Sequence, residues 1–166
     1  MKSDLLMNFS VDKENKTVNV KREFKASLSN VWSAWTEASI LDLWWAPAPF
    51  KSKTKFMEFR EGGKRLYAMV SPEGDERWAV FEYNSISPKT NFKHSSTFCD
   101  SEGLPNSALG SSYWDITFSE EGDSTIVAIA IKRDSLEELE KIIEMGFKEG
   151  FTIAMEGLDK ILETNK

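Results

Sequence analysis

Residues 135–162, SLEELEKIIEMGFKEGFTIAMEGLDKIL, decide the fold. Leu136, Leu139, Ile142, Ile143, Gly146, Phe147, Gly150, Phe151, Ile153, Ala154, Gly157, Leu158 and Ile161 recur with helical spacing, which predicts one long amphipathic helix. Ser135 and Glu138 fit a capping box at its start. At 100° per residue, Gly146, Gly150 and Gly157 fall within about 40° of one another, inside the apolar arc. An interior helical glycine costs about 1 kcal/mol against alanine. Three on one face predict a hollow beneath the helix, kept open by residues without side chains.

Working backwards, the chain reads as a run of strands punctuated by turns. Asn91–Cys99, Ser111–Ser119 and Ser124–Lys132 alternate or are rich in β-branched residues. Lys53–Arg60 and Lys64–Ser71 flank the turn signal Gly62-Gly63, and Arg77–Ile86 follows the turn 71–75. Residues 100–110 read as a loop. Before these strands lie two short helices, one capped by Ser29 or Asn30 and one ending at Trp44-Trp45 before Pro47. The first main strand, Thr17–Ala26, puts Val18, Val20, Arg22 and Phe24 on one face. Residues 1–16 read as a peripheral extension or an edge strand. A meander with one apolar face needs a second layer, and the last helix supplies it. The expectation is a single α+β domain over residues 1–166.

Composition narrows the function. The net charge of −6 argues against a sequence-independent nucleic-acid binder. No apolar run reaches membrane-spanning length, and the first residues lack a signal peptide's apolar core. One cysteine and one histidine exclude a disulfide framework and make a four-ligand zinc site unexpected, so no metal or cofactor is expected and the cytoplasm is the default location. Six tryptophans and eleven phenylalanines are a heavy aromatic load, suited to lining an apolar pocket.

Arg22-Glu23-Phe24-x-Ala26, Val31-Trp32-x-Ala34-Trp35-Thr36, Leu43-Trp44-Trp45-Ala46-Pro47, Phe59-Arg60-x-Gly62-Gly63, Pro72-Glu73-Gly74, Ile86-x-Pro88 and 145–151 (MGFKEGF) occur in an order that resembles one family. This is the activator-of-heat-shock-protein-90-ATPase-homologue-like family, within the START-like, Bet v allergen-like (SRPBCC) superfamily. The resemblance runs from about Thr17 to Leu162. It implies a helix-grip fold, with a curved antiparallel sheet wrapped around a long C-terminal helix and two short helices after the first strand. It also implies an apolar cavity for lipids, hormones or other hydrophobic molecules, with catalysis in a minority of members. Homodimerisation is expected by analogy only.

The leading expectation is non-catalytic binding of a small hydrophobic molecule between the last helix and the sheet. Its candidate site is Arg22, Trp45, Tyr67, Met69, Trp78, His94, Phe98, Trp114, Phe147, Gly150, Phe151 and Ala154. Arg22 stands out because an arginine on an apolar strand face needs a partner, either an anionic ligand group or a protein carboxylate. Tyr67, Tyr113 and His94 could present polar atoms to a ligand. The rival readings are a cyclase- or hydrolase-type enzyme using His94 as acid or base, and a co-chaperone-like activator of a heat-shock ATPase. Cys99 reads as an unreactive thiol beside Asp100. The carboxylates Glu137, Glu138, Glu140 and Glu144 read as a solvated helix face.

Overall fold

The computed structural model describes residues 7–106 and 110–164; the remaining parts of the N-terminal extension and of the 100–110 loop lie outside the described residues. Eight strands form one antiparallel sheet: β1 Met7–Asp12, β2 Thr17–Phe24, β3 Lys51–Met57, β4 Lys64–Val70, β5 Glu76–Ser87, β6 Asn91–Cys99, β7 Ser111–Glu121 and β8 Ser124–Lys132. Their spatial order is β1-β2-β8-β7-β6-β5-β4-β3. β3 to β8 therefore form a meander, and β2 closes it by pairing with β8 from Thr17↔Lys132 to Phe24↔Thr125. β1 is the edge strand expected near the N-terminus.

Helices α1 (Leu28–Thr36) and α2 (Ala38–Trp44) bridge β2 to β3 across the concave face. The cap of α1 is Ser27, whose hydroxyl accepts from Asn30 N, rather than Ser29 or Asn30. Ser27 is the residue whose backbone is still extended, so it alone can turn its oxygen back onto the first-turn amides. Between β3 and β4, a Cβ at Gly63 would run into the Glu58 carbonyl, so glycine is required there by close approach as well as by the turn.

The C-terminal segment is two helices, α3 Leu136–Glu144 and α4 Phe147–Thr164, instead of one. Gly146 separates them with φ +91°, a conformation that ends a helix and favours glycine. It is a helix stop and does not belong to a hollow face. A Cβ at Gly150 would sit 3.7 Å from Pro47, an ordinary contact, and one at Gly157 would meet nothing within 4 Å. The three glycines thus have three different settings, and the glycine stripe does not outline a cavity. Two open depressions among the described residues lie elsewhere. One, of about 410 Å³, is on the outer sheet face around Asn19, Lys21, Asp115 and Ala130; the other, of about 210 Å³, is between Asn30, Glu37 and Ile161. Ser135 Oγ accepts from Glu138 N as foreseen, but the Glu138 carboxylate binds Arg133 at 3.0 Å instead of completing a box. Glu137, Glu140 and Glu144 are exposed as expected of a solvated face, and the pair of Glu140 with Lys13 lies at the surface.

α4 buries Phe151, Ala154, Met155, Leu158 and Leu162. Its backbone lies closest to α2, α1 and α3, and it reaches the strands chiefly through side chains. One polar clamp sets its register. Arg22 Nη2 donates to Asp159 Oδ2 at 2.6 Å and Nη1 to Oδ1 at 3.2 Å, with both side chains buried. Arg22 Nη1 also donates to the Glu23 carbonyl, and the guanidinium lies 4.9 Å from the Phe24 ring. Arg22 therefore takes its protein-carboxylate alternative and is withdrawn from the ligand site.

Three outcomes follow in urea denaturation. Removing one partner of the clamp, as in Arg22→Leu or Asp159→Asn, strands a buried charge and lowers stability by about 3–5 kcal/mol, whereas Arg22→Met/Asp159→Leu recovers most of the loss. Gly157→Ala raises stability by about 1 kcal/mol because the helix gains propensity and the methyl group meets nothing. Gly146→Ala lowers it by about 1–2 kcal/mol because φ is left-handed there.

Candidate functional site

The register of β4 to β7 determines which side chains meet on the concave face. Tyr67 opposes Ala79, which opposes Phe98; Arg65 opposes Phe81, which opposes Ser96; Tyr83 opposes His94, which opposes Trp114. Side chains alternate across a strand, so these rows face α4 together. Trp45 descends from the end of α2, and Phe147 and Phe151 come from the first turns of α4.

The rings close into one aromatic interior. Trp45 lies 5.5 Å from Phe81, 5.6 Å from Trp114 and 6.1 Å from Phe151. Trp114 also meets Phe151 at 5.8 Å and Phe147 at 6.3 Å. His94 is stacked between neighbours, 4.1 Å from Phe81 and 5.6 Å from Trp114. Mostly edge-on pairs at these separations match the quadrupole preference of aromatic side chains. Trp45, Tyr67, His94, Trp114, Phe147 and Phe151 are thus brought together, with Ala154 buried on α4.

Several candidates are placed elsewhere. Trp78 occupies the other face of β5, since Ala79, Phe81 and Tyr83 point inward, and Lys55 lies 5.9 Å from its ring. Phe98 shares the concave face but is 41% exposed at the strand end, and Met69 is half-buried at the same end of the sheet. Gly150 is against Pro47. Tyr113 faces outward and its hydroxyl is 3.5 Å from Asp134. Trp44 is a structural residue, donating from Nε1 to the Ala34 carbonyl.

The polar groups of the interior are few. Trp45 Nε1 donates to Tyr67 Oη at 2.9 Å. His94 Nδ1 is 3.0 Å from the Ser95 carbonyl, which can only accept, so the proton sits on Nδ1 and Nε2 keeps its lone pair. Burial holds the imidazole pKa down near about 3, with Arg65 adding to the effect and the Ser95 bond opposing it. Burial likewise raises the Tyr67 and Tyr83 hydroxyls, which stay protonated. Burial, followed by Asp100, raises the Cys99 thiol, leaving it a poor nucleophile.

Arg65 was overlooked in the sequence. Its side chain is 0% exposed, and its guanidinium carbon lies 4.1 Å from the Tyr67 ring centre, 5.3 Å from Phe81 and 5.9 Å from Trp45. Nε donates to Thr54 Oγ1, and Nη2 to Ser52 Oγ at 3.0 Å and to Asp42 Oδ1 at 3.4 Å. Nη1 is buried with no acceptor, as is Trp114 Nε1. The signal was present, because alternation puts Arg65 on the face already assigned to Tyr67 and Met69.

Comparison with other proteins agrees with this architecture. The model of the family described as Activator of Hsp90 ATPase homolog 1-like protein matches residues 25–163. No curated protein matches in sequence. The chain is similar to a protein from Arthrobacter aurescens solved by NMR, with TM-score 0.89, 27% identity and coverage of 95% of this chain and 91% of that one. It is similar in fold to a crystal structure from Mycobacterium smegmatis (TM-score 0.88, 22% identity, 98% and 99% covered). The same holds for an AHSA1 protein from Silicibacter pomeroyi (TM-score 0.72, 14% identity, 90% and 99% covered). The helix-grip fold and the match over residues 25–163 place this chain in the family of Activator of Hsp90 ATPase homolog 1-like proteins.

Proposed function

We propose that the protein binds a small, largely aromatic or aliphatic molecule carrying a hydrogen-bond acceptor, in the interior between α4 and strands β4 to β7. The observation that carries this reading is the Trp114 indole donor, buried among rings with no acceptor. A buried donor left unanswered costs about 1–3 kcal/mol, and an acceptor brought by a ligand would recover that. The surrounding rings would contribute by burial, at about 25 cal/mol per Å² of apolar surface removed from water.

The entrance in this reading is the sheet end where Met69 is half-buried and Phe98 is exposed. Room is made by displacing rings, above all Phe147 and Phe151, which ride on the turn that restarts the helix after Gly146. No preformed void is required, since α4 meets this part of the sheet through side chains.

The arrangement gives little support to acid–base chemistry at His94. With a pKa of about 3 the imidazole is neutral at pH 7: its one N–H is held by the Ser95 carbonyl and is not acidic, and it is a weak base. Its proton-linked effect falls on stability. The unfolded chain accepts a proton below about 6.5 while the folded one refuses it, so stability is full above that pH and declines as pH falls towards 3. The slope is on the order of 1 kcal/mol per pH unit.

Isothermal titration with 2-acetylnaphthalene, a neutral aromatic ketone, tests the binding reading. Saturable one-to-one binding to the wild type, weakened about five-fold or more in Trp114→Phe, is expected; no saturation up to the ketone's solubility limit refutes it. For the sole histidine, the imidazole Cε1–H resonance should not move between pH 8 and pH 5, and His94→Phe should flatten the acid limb of the stability profile. A shift of that resonance with a midpoint near 6.5 would contradict the buried, neutral state.

A further inference from the structure

We infer that the ligand is an acid, bound as its anion, with its carboxylate or an equivalent oxyanion docked on Nη1 of Arg65. This rests on the proposed ligand site and adds the charge of what occupies it.

The argument starts from an inventory of the guanidinium. It carries five N–H bonds and accepts nothing. Nε and Nη2 are used by Thr54 Oγ1, Ser52 Oγ and Asp42. Nη1 offers its hydrogens to nothing, although the side chain is entirely buried. An arginine taken out of water needs its charge and its hydrogens answered.

Asp42 does this only in part. Its oxygens already take 2.7 Å and 2.9 Å bonds from Thr54 Oγ1 and Ser52 Oγ and a 3.1 Å bond from Thr54 N. Its contact with Arg65 is the longest of these at 3.4 Å, and its side chain is 29% exposed, so water screens it. The faces of Tyr67, Phe81 and Trp45 solvate the cation without accepting its hydrogens.

Position agrees with charge. Proceeding inward from the entrance, Met69 comes first, then the row of Tyr67 and Phe98, then Arg65 one row deeper, about 7 Å further along the strand. A flat aromatic or aliphatic acid entering head-first would meet rings on its sides and, at its head, the Arg65 guanidinium, whose Nη1 is buried without an acceptor. Of the titratable groups facing Arg65, Tyr67, Tyr83 and His94 are held neutral by burial and do not repel an anion; the Asp42 carboxylate contacts Nη2, and its charge is offset by the bonds it accepts from Thr54 and Ser52 and by its partial exposure to water.

A pair of near-isosteric probes, 2-naphthoate and 2-acetylnaphthalene, tests this by calorimetric titration at pH 7.5. Wild type is expected to bind the carboxylate at least roughly ten-fold more tightly than the ketone, the scale of one charge-assisted hydrogen bond. The two should compete for one site. In Arg65→Met the preference should collapse to about unity while the ketone still binds. Equal affinities in the wild type overturn the anion assignment and leave the general ligand site standing; failure of both probes overturns both. The wild-type comparison needs no variant, so it decides the matter even if Arg65→Met does not fold.

Discussion

The ion pair between Arg22 on β2 and Asp159 on α4 sets where the last helix sits on the sheet, and the interior beneath depends on it. A helix that meets a sheet mainly through aromatic side chains has a soft register, because rings slide and tilt at little cost. A bidentate pair inside that interface is not soft. It has one acceptable geometry, and every other one leaves two charges buried without partners. The pair is near the C-terminal half of α4, so it anchors that half. The N-terminal turns, which carry Phe147 and Phe151, are attached through ring contacts and follow the left-handed turn at Gly146.

The interior shows what happens when polar groups are taken into an aromatic core. His94 gives up its proton affinity, Tyr67 and Tyr83 keep their protons, and Arg65 keeps its charge because arginine cannot lose it. Three of the four are neutralised by the same burial that would destabilise an ion. The fourth is held by two hydroxyls and an aspartate on one side and by aromatic faces on the other. That asymmetry separates Arg65 from Arg22: both are buried, but only Arg22 finds a protein carboxylate that matches its fork.

Strand limits in the sequence were accurate where hydrophobic alternation and turn residues agreed, as at Asn91–Cys99 and Ser124–Lys132. The last helix misled because spacing alone cannot distinguish a glycine inside a helix from one that ends it; Gly146 continues the period but carries the wrong φ. Trp78 and Tyr113 looked like pocket residues through their size, yet each stands one position off the inward register. Arg65 carries the same signal as Arg22, an arginine on the inward face of a strand, and only its complete burial distinguishes it from an arginine reaching water.

The sequence by itself determined the architecture. The order of elements, the period-two strands and the amphipathic C-terminal segment admit one economical solution, a meander covered by a helix, because an apolar sheet face must be buried. It also determined which residue types would crowd that face. Only the tertiary structure decided how far the buried arginines Arg22 and Arg65 would each be answered. That depends on whether a carboxylate 137 residues away arrives within hydrogen-bond distance, and for Arg22 Asp159 does. For Arg65 the nearest carboxylate is already occupied by Ser52 and Thr54, so Nη1 stays buried without an acceptor.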